Sequence, residues 1–525
     1  MQGGSVAVRN AVRRRRGVVL VTALALVLVA CSGSSGSSSG GSANANGTLR
    51  YGYALDAQFT DHFDPAKSTG NCDAIVIQQI YDTLLHRDAA GTLLPGLVQK
   101  WDIASDGMSV TFHLRPGVRF QDGTAFDANA VRVGLLHNQP NPQLTSLLLI
   151  DHIDVVDPTT VKIALKKAAP LNFLYAMTSR DGMIVSSAAL NTADKQPVGA
   201  GPFRFTGYQP GSKISVTRFP EYWGNDQWKI RGIDFTQVGT GPPAVTALKS
   251  GALDFIRFEA ESYGGLKSSP NIGVAVQPTG SYLQFQFRFD KPFDDIRVRQ
   301  AFNYAIDRKQ INEIVNAGQG EVASQTYPKS SPGYDPSLAN VYSYDPAKAR
   351  QLLADAGYPN GLTIEMVIPG GNIANMERQG ALLQQQLQAV GVTPKVTRIN
   401  GSDIATNYYQ QRKGNAFAAA RLNDPYLINQ IWNAYGKGEF VAIYSNQERQ
   451  DITDLANQAF RETDTQKYNA IVKQASKIVV DQALEVPIAF TPQFVAYDKA
   501  RVGGTVKAQT DICDVPDLTG VTVKG

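Results

Sequence analysis

Residues 344–399 contain the stretch Tyr344-Asp345-Pro346-Ala347-Lys348-Ala349, then Leu352-Leu353, Gly357, Leu362-Thr363-Ile364-Glu365-Met366-Val367-Ile368 and, past Ala374 to Val390, Gly391 and Lys395-Val396-Thr397-Arg398-Ile399. Asp345 can accept hydrogen bonds from free N–H groups at a helix start, and Pro346 suits the first helical position. The helix so begun runs through Leu352 and Leu353 and stops at Gly357, a natural left-handed cap. Leu362 to Ile368 alternates as a strand does, Ala374 to Val390 carries helical spacing, Gly391 ends it, and Lys395 to Ile399 is a second strand. Strand, helix, strand in that order predicts an α/β fold with parallel pairing.

Upstream, the same grammar continues. Leu49 to Tyr53 predicts a strand, Cys72 to Leu85 a helix on the spacing of Ile75, Ile77, Ile80 and Leu84, Ser109 to Leu114 a half-buried strand, and Ala128 to Leu136 a helix. Val155 to Leu165 predicts a hairpin turning at Asp157-Pro158. Downstream, Gln466 to Leu484 predicts a last helix. No internal repeat is present.

The first thirty residues are of another kind. Five arginines, Arg9 and Arg13 to Arg16, precede fourteen small or apolar residues, Gly17 to Ala30. A charged front, an apolar middle and a small-residue exit make a secretory signal, and the run is shorter than the roughly 20 residues that span a bilayer. Leu28-Val29-Ala30-Cys31 resembles a bacterial lipobox, in which Cys31 is lipidated and becomes the first mature residue. Residues 32–47 hold only Ser, Gly, Ala and Asn; they cannot bury enough surface to fold, and as a coil would reach roughly 20–25 Å. Residues 31–47 are thus expected to tether a body of two or three domains.

The formal charge of +4 comes from that leader: of 50 basic residues five lie there with no acid, leaving 45 against 46 acidic, or −1. A near-neutral body has no electrostatic pull toward nucleic acid. If Cys31 takes lipid, two of the three cysteines remain, Cys72 and Cys513. In an oxidising compartment they would form a disulfide between the two ends of the body, or stand as independent thiols.

The five histidines show no His-x-x-x-His spacing with an intervening Glu, and no Cys-x-x-Cys, Gly-x-Ser-x-Gly or phosphate-binding glycine loop occurs. No metal, cofactor or catalytic constellation is therefore expected, and Asp294-Asp295 is expected to cap the helix starting at Ile296 rather than to do acid–base work.

Four blocks in order resemble the family 5 solute-binding proteins of ABC transporters, which bind dipeptides, oligopeptides and nickel chelates. They are Tyr81-Asp82-Thr83-Leu84-Leu85 through Leu94-Pro95-Gly96-Leu97, Trp101 and Thr111 to Gly123; Pro197-Val198-Gly199-Ala200-Gly201-Pro202-Phe203 with Glu221-Tyr222-Trp223-Gly224; Phe293 to Ala301 with Ala305-Ile306-Asp307-Arg308; and Asp345-Pro346 through Ala356-Gly357-Tyr358-Pro359. Pro116-Gly117 reads as a turn, Gly199, Gly201 and Pro202 as a bent strand entry, and Tyr222-Trp223-Gly224 as packing, so most of these residues are expected to determine fold rather than touch ligand.

The resemblance implies a two-lobed periplasmic-binding-protein-like α/β fold (type II, cluster C-like). Its first lobe would hold residues 48–275 plus 487–525, with an extra subdomain at about 67–195, and its second lobe residues 280–486. Hinge strands would lie near Ser281-Tyr282-Leu283-Gln284 and Pro487-Ile488-Ala489-Phe490. It also implies a non-enzymatic, lipid-anchored monomer on the outer face of the cytoplasmic membrane. The protein would close on a small peptide, peptide-like solute or chelate and deliver it to ABC permease and ATPase subunits. An envelope regulator of the same fold and an exported hydrolase are the rival readings.

In peptide-binding members an aspartate before an Asp-Pro pair holds the peptide amine. Here Arg421 stands near that place, before Asn423-Asp424-Pro425, and would favour an anion unless it pairs with Asp424 or faces solvent. Arg180 matches a segment that carries a ligand-facing arginine in some nickel-chelate binders. Phe59, Tyr282, Gln284, Asn423, Asp424, Tyr426 and Trp432 complete the expected cleft set.

Overall fold

In the computed structural model, which describes residues 47–53, 62–68, 74–88, 91–370, 374–422, 424, 426–508 and 516–524, the quoted stretch folds as its pattern requires. Asp345 accepts a hydrogen bond from the Lys348 N–H and caps the helix Pro346–Asp355, and Gly357 takes a φ of 96°. The strands Leu362–Gly370 and Val392–Asn400 pair in parallel along their whole length, joined by the helix Ala374–Gln388.

These two strands open a large mixed sheet. Its order continues through Ala416–Arg421, Ile272–Phe287, Glu485–Asp498, Phe255–Arg257, Thr48–Tyr53, Gly232–Gln237 and Lys213–Arg218 to Phe203–Gln209. The two long strands at its centre carry the chain across. Ile272–Phe287 uses its last six residues to pair with Ala416–Arg421, while the far end of Glu485–Asp498 pairs with Phe255–Arg257. The two also pair antiparallel with each other, and that ladder slips between Pro278 and Tyr282 and again between Leu283 and Gln284. At the first slip Thr279 Oγ1 donates to the Thr491 carbonyl at 2.7 Å, which keeps the polar backbone satisfied where the register breaks. A separate four-stranded antiparallel sheet runs Val98–Ile103, Ser109–Leu114, Thr160–Leu165, Ile150–Asp157, with the expected turn after Asp157.

Three apolar clusters do most of the packing. One fills the space under Thr48–Tyr53 and its neighbours and takes in Leu518, Val521 and Val523 from the chain's end. A second lies between Phe285, Phe302, Ile364 and Leu387. The third runs from Phe112 and Phe173 to Tyr426, Tyr468 and Val479, so the four-stranded unit packs against helices from the later part of the chain.

The sequence blocks meet one another here. Gln121 donates its amide to the carbonyls of Ile80 (2.9 Å), Gly201 (3.2 Å) and Phe203 (2.7 Å), sewing the first block to the second. A Cβ on Gly199 or Gly201 would fall 2.4 or 2.6 Å from the Ile80 carbonyl oxygen, so only glycine permits that approach. Asp82 is 6% exposed and accepts from Tyr222 Oη (2.9 Å) and Trp223 Nε1 (2.7 Å), with His86 Nε2 at 2.6 Å. These bonds explain one departure from expectation. The helix predicted over Cys72–Leu85 stops at Ile80, because Asp82 is drawn sideways and Leu85 turns into the short strand Leu85–Arg87.

Candidate functional site

The third block positions a buried acid. Arg299 and Arg308 are both buried, and each spends its guanidinium on backbone carbonyls: Arg299 on Gln482 (3.0 Å) and Phe293 (2.7 Å), Arg308 on Pro487 (2.7 Å) and Asn303 (2.8 Å). Asn303 donates to the Glu485 carbonyl at 3.0 Å. Burial drops both guanidinium pKa values, to about 10. They stay cationic, and the negative ends of carbonyl dipoles stabilise them. The result is a rigid start to Glu485–Asp498 with the Glu485 side chain fixed inward.

Glu485 is the centre of a dense cluster. Its carboxylate accepts from Tyr282 Oη (2.5 Å), Tyr435 Oη (2.6 Å) and Arg421 (2.8 Å). Arg421 also donates to Gln284 Oε1 at 3.2 Å and to the Gln430 carbonyl at 3.3 Å. Burial disfavours the Arg421 charge, but Glu485 more than offsets this and holds its pKa well above the ordinary value. Of the expected cleft residues, the structure thus brings Tyr282, Gln284 and Arg421 together. Arg421 pairs with Glu485, not with Asp424. Its charge is cancelled by Glu485, which removes the expectation of a free anion receptor at this point. Glu485 and Tyr435 were not in the expected set. An acid inside the apolar run Leu484-Glu485-Val486-Pro487-Ile488 was the available signal.

The other expected residues separate. Arg180 turns its guanidinium onto Ser68, at 3.1 Å from the carbonyl and 2.9 Å from Oγ. Trp432 packs edge-on against Phe460 with ring centroids 5.1 Å apart, and Tyr426 is buried between Tyr468 and Phe460 with its hydroxyl on the Ala459 carbonyl. Both are packed against neighbouring aromatic rings. Phe59 and Asn423 lie outside the described residues, as do Cys31, Cys72 and Cys513.

Asp424 lies deep in the molecule yet keeps part of its surface open. Leu422, two residues before it, is a large apolar side chain left 59% exposed. Asp181, 9% exposed, is close enough to feel the Asp424 charge, and Tyr175 and Tyr426 approach with ring centroids 6.0 Å apart. A cavity of about 310 Å³ lies elsewhere, lined by Asp82, His86, Arg87, Thr178, Tyr222 and Trp223 among others. Each of the five histidines is committed to an aspartate. Among the described residues no group of three metal-ligating side chains occurs.

A mixed sheet continued from one half of the chain to the other by two long strands is the build of a two-lobed α/β solute-binding protein. Residues 92–438 match the model of the bacterial extracellular solute-binding proteins, family 5, and the chain belongs to that family. It resembles the glutathione-binding protein GsiB of Pectobacterium atrosepticum, with 30% identity over 86% of this chain and 90% of that protein. It also resembles heme-binding protein A of Haemophilus influenzae, with 29% identity over 82% and 85%. In fold it resembles the structure of HbpA2 from Haemophilus parasuis, with a TM-score of 0.78 at 24% identity over 91% of this chain and all of that one. The protein is an exported solute-binding component of an ABC importer and not an enzyme.

Proposed function

We propose that this protein captures a small peptide, a peptide-like solute or a chelate between its lobes and hands it to ABC permease and ATPase subunits as a monomer. Residues 48–275 with 487–525 form the first lobe in this reading, carrying a subdomain at about 67–195, and residues 280–486 form the second. The hinge is the pair of central strands where their ladder slips, between Pro278 and Tyr282 and between Leu283 and Gln284. A slipped antiparallel ribbon bends with less loss of hydrogen bonding than a regular one. The carrying observation is that Arg421 ends the strand Ala416–Arg421 directly opposite Tyr282, at the slipped part of the central ladder, with Leu422 and Asp424 following it. Tyr282, Gln284 and Arg421 set the floor of the site in this reading; Phe59 and Asn423 are its remaining expected contacts. Relatives whose names state glutathione and heme as cargo support a peptide-sized or larger solute.

The leader of residues 1–30 directs export, lipid on Cys31 holds the body to the outer face of the cytoplasmic membrane, and residues 31–47 give it reach. Two or more acyl chains are needed for firm anchoring. Cys72 and Cys513 form a disulfide, so the intact mass of the unreduced protein should show no free thiol.

The test is native mass spectrometry of the freshly purified chain, with thermal melting and small-angle scattering before and after cargo is added. A co-purified solute, a smaller radius on binding and stabilisation by about 2.7 kcal/mol at a hundredfold excess over Kd are expected. An unchanged shape and melting point with every peptide and chelate tried would overturn the reading.

A further inference from the structure

Two helices that the proposed lobe assignment puts in different lobes touch through aromatic rings. The helix Pro170–Ala176, in the subdomain of the first lobe, packs against the helix Gln450–Arg461, in the second. Beside this contact the Tyr175 ring stands 6.0 Å from the Tyr426 ring at a tilt of 45°. The Lys167 ammonium lies over the Phe460 ring, 5.7 Å from its centroid. The Glu439 carboxylate is close enough to feel the Lys167 charge.

Each side of the contact is held by its own lobe. Phe173 is fully buried and stacks on Phe112 of the four-stranded sheet with centroids 6.2 Å apart, which fixes the helix that carries Tyr175. Tyr426 stacks on Tyr468 at 5.0 Å, and its hydroxyl donates to the Ala459 carbonyl at 3.0 Å. The receiving surface is therefore built without help from the arriving helix. Tyr175 is only half-buried and Lys167 is exposed. Among the described residues no hydrogen bond joins the two helices. Rings and an ammonium can part without stranding a buried polar group, yet they gain apolar burial and ring contacts when they meet. These are the properties of a separable interface and not of a core.

We propose that this contact is a latch: it lets the two lobes meet without cargo, so that part of the stability of the shut form comes from the protein itself. This rests on the reading that cargo is captured between the lobes. A latch raises the population of the shut form in the empty protein, and the apparent Kd is the intrinsic value divided by that population. Weakening the latch therefore weakens every cargo by one common factor, whereas losing a cargo contact weakens different cargoes unequally.

The test uses the full chain freed of cargo by unfolding and refolding, with native mass spectrometry to show that it is empty. Small-angle scattering compares the parent with a Tyr175→Ala, Lys167→Ala double variant and with Tyr175→Phe, which keeps the ring. The empty double variant should have the larger radius of gyration, and Tyr175→Phe should match the parent. Glutathione, leucyl-leucine and a nickel–histidine chelate are then titrated into each chain. Those that bind should bind the double variant about tenfold more weakly than the parent, with the factors agreeing to within about twofold. Lys167→Ala alone should show the same changes at smaller size, and it stands in for the double variant if that fails to melt cooperatively. Equal radii of the empty parent and the empty variant overturn the latch, as does an affinity loss that differs from cargo to cargo. If none of the three probes binds, the radii of the empty chains decide the proposal. The wider reading fails separately: an expanded empty variant that no cargo compacts counts against capture between the lobes and leaves the latch standing.

Discussion

Asp254 and Asp424 are both deep carboxylates, and the protein treats them in opposite ways. Asp254, fully buried, accepts from Arg50 through backbone and side chain and from Arg501 Nε at 2.7 Å. Burial acts against its charge, but these donors outweigh burial and hold its pKa below the ordinary carboxylate range. For Asp424 burial wins and the pKa rises to about 6. A carboxylate surrounded by arginines fastens the fold. One with few donors stays costly to ionise where it is.

The widest test of this contrast uses the most saturated acid. Glu485→Ala leaves Arg421 buried without its counter-charge and should cost about 3–5 kcal/mol in a denaturant titration. A loss under about 1 kcal/mol would mean that the cluster is no more than a surface pair.

Next comes pH. An acid whose folded pKa is raised binds more protons folded than unfolded, so its contribution to stability is greatest at low pH and is lost as pH rises. For Asp424 and Asp181 the loss should run from about pH 4 to about pH 6–7 and then level off. Asp254, with its pKa lowered, works the other way: its stabilisation is present above about pH 4 and fades as pH falls below that. Asp424→Asn should therefore flatten the decline and stabilise the empty protein at pH 8 by about 2–3 kcal/mol, read from melts across the pH range. Asp254→Asn should do the reverse. It should destabilise the protein at pH 8 by about 1–3 kcal/mol, because Arg50 and Arg501 are each about a third exposed and regain water.

The smallest effect belongs to Arg378, paired with Glu261 at 2.7 Å with both side chains partly exposed. In the proposed lobe assignment this bond joins one lobe to the other. Arg378→Ala should change cargo affinity by less than about fivefold and stability by under about 1 kcal/mol.

How much of this could be read beforehand depends on the range of the interaction. Asp345, Gly357 and the 362–399 region act on neighbours a few residues away, and their alternation, caps and turns show in the chain. The parallel pairing followed from them. The helix after Cys72 was overdrawn because Asp82 is pulled out of it by Tyr222 and Trp223, about 140 residues on, and no local pattern carries that pull. The site was half legible. Tyr282, Gln284 and Arg421 lie on strands whose place the family blocks implied. Glu485 is 64 residues from the Arg421 it neutralises, so the charge of the site could not be judged from the 421–426 segment alone. Trp432 and Tyr435 share one helix, and only the direction of that helix decides which enters the cluster.

The two ends of the described body are bound to each other. The Gly47 N–H donates to the Val523 carbonyl at 2.8 Å, and Val523 lies beside Val502 in a short ladder. A dye or affinity handle attached just past Lys524 would therefore report on the point where residue 47 enters the body, and in the proposed anchored form it would read the height of the body above the membrane.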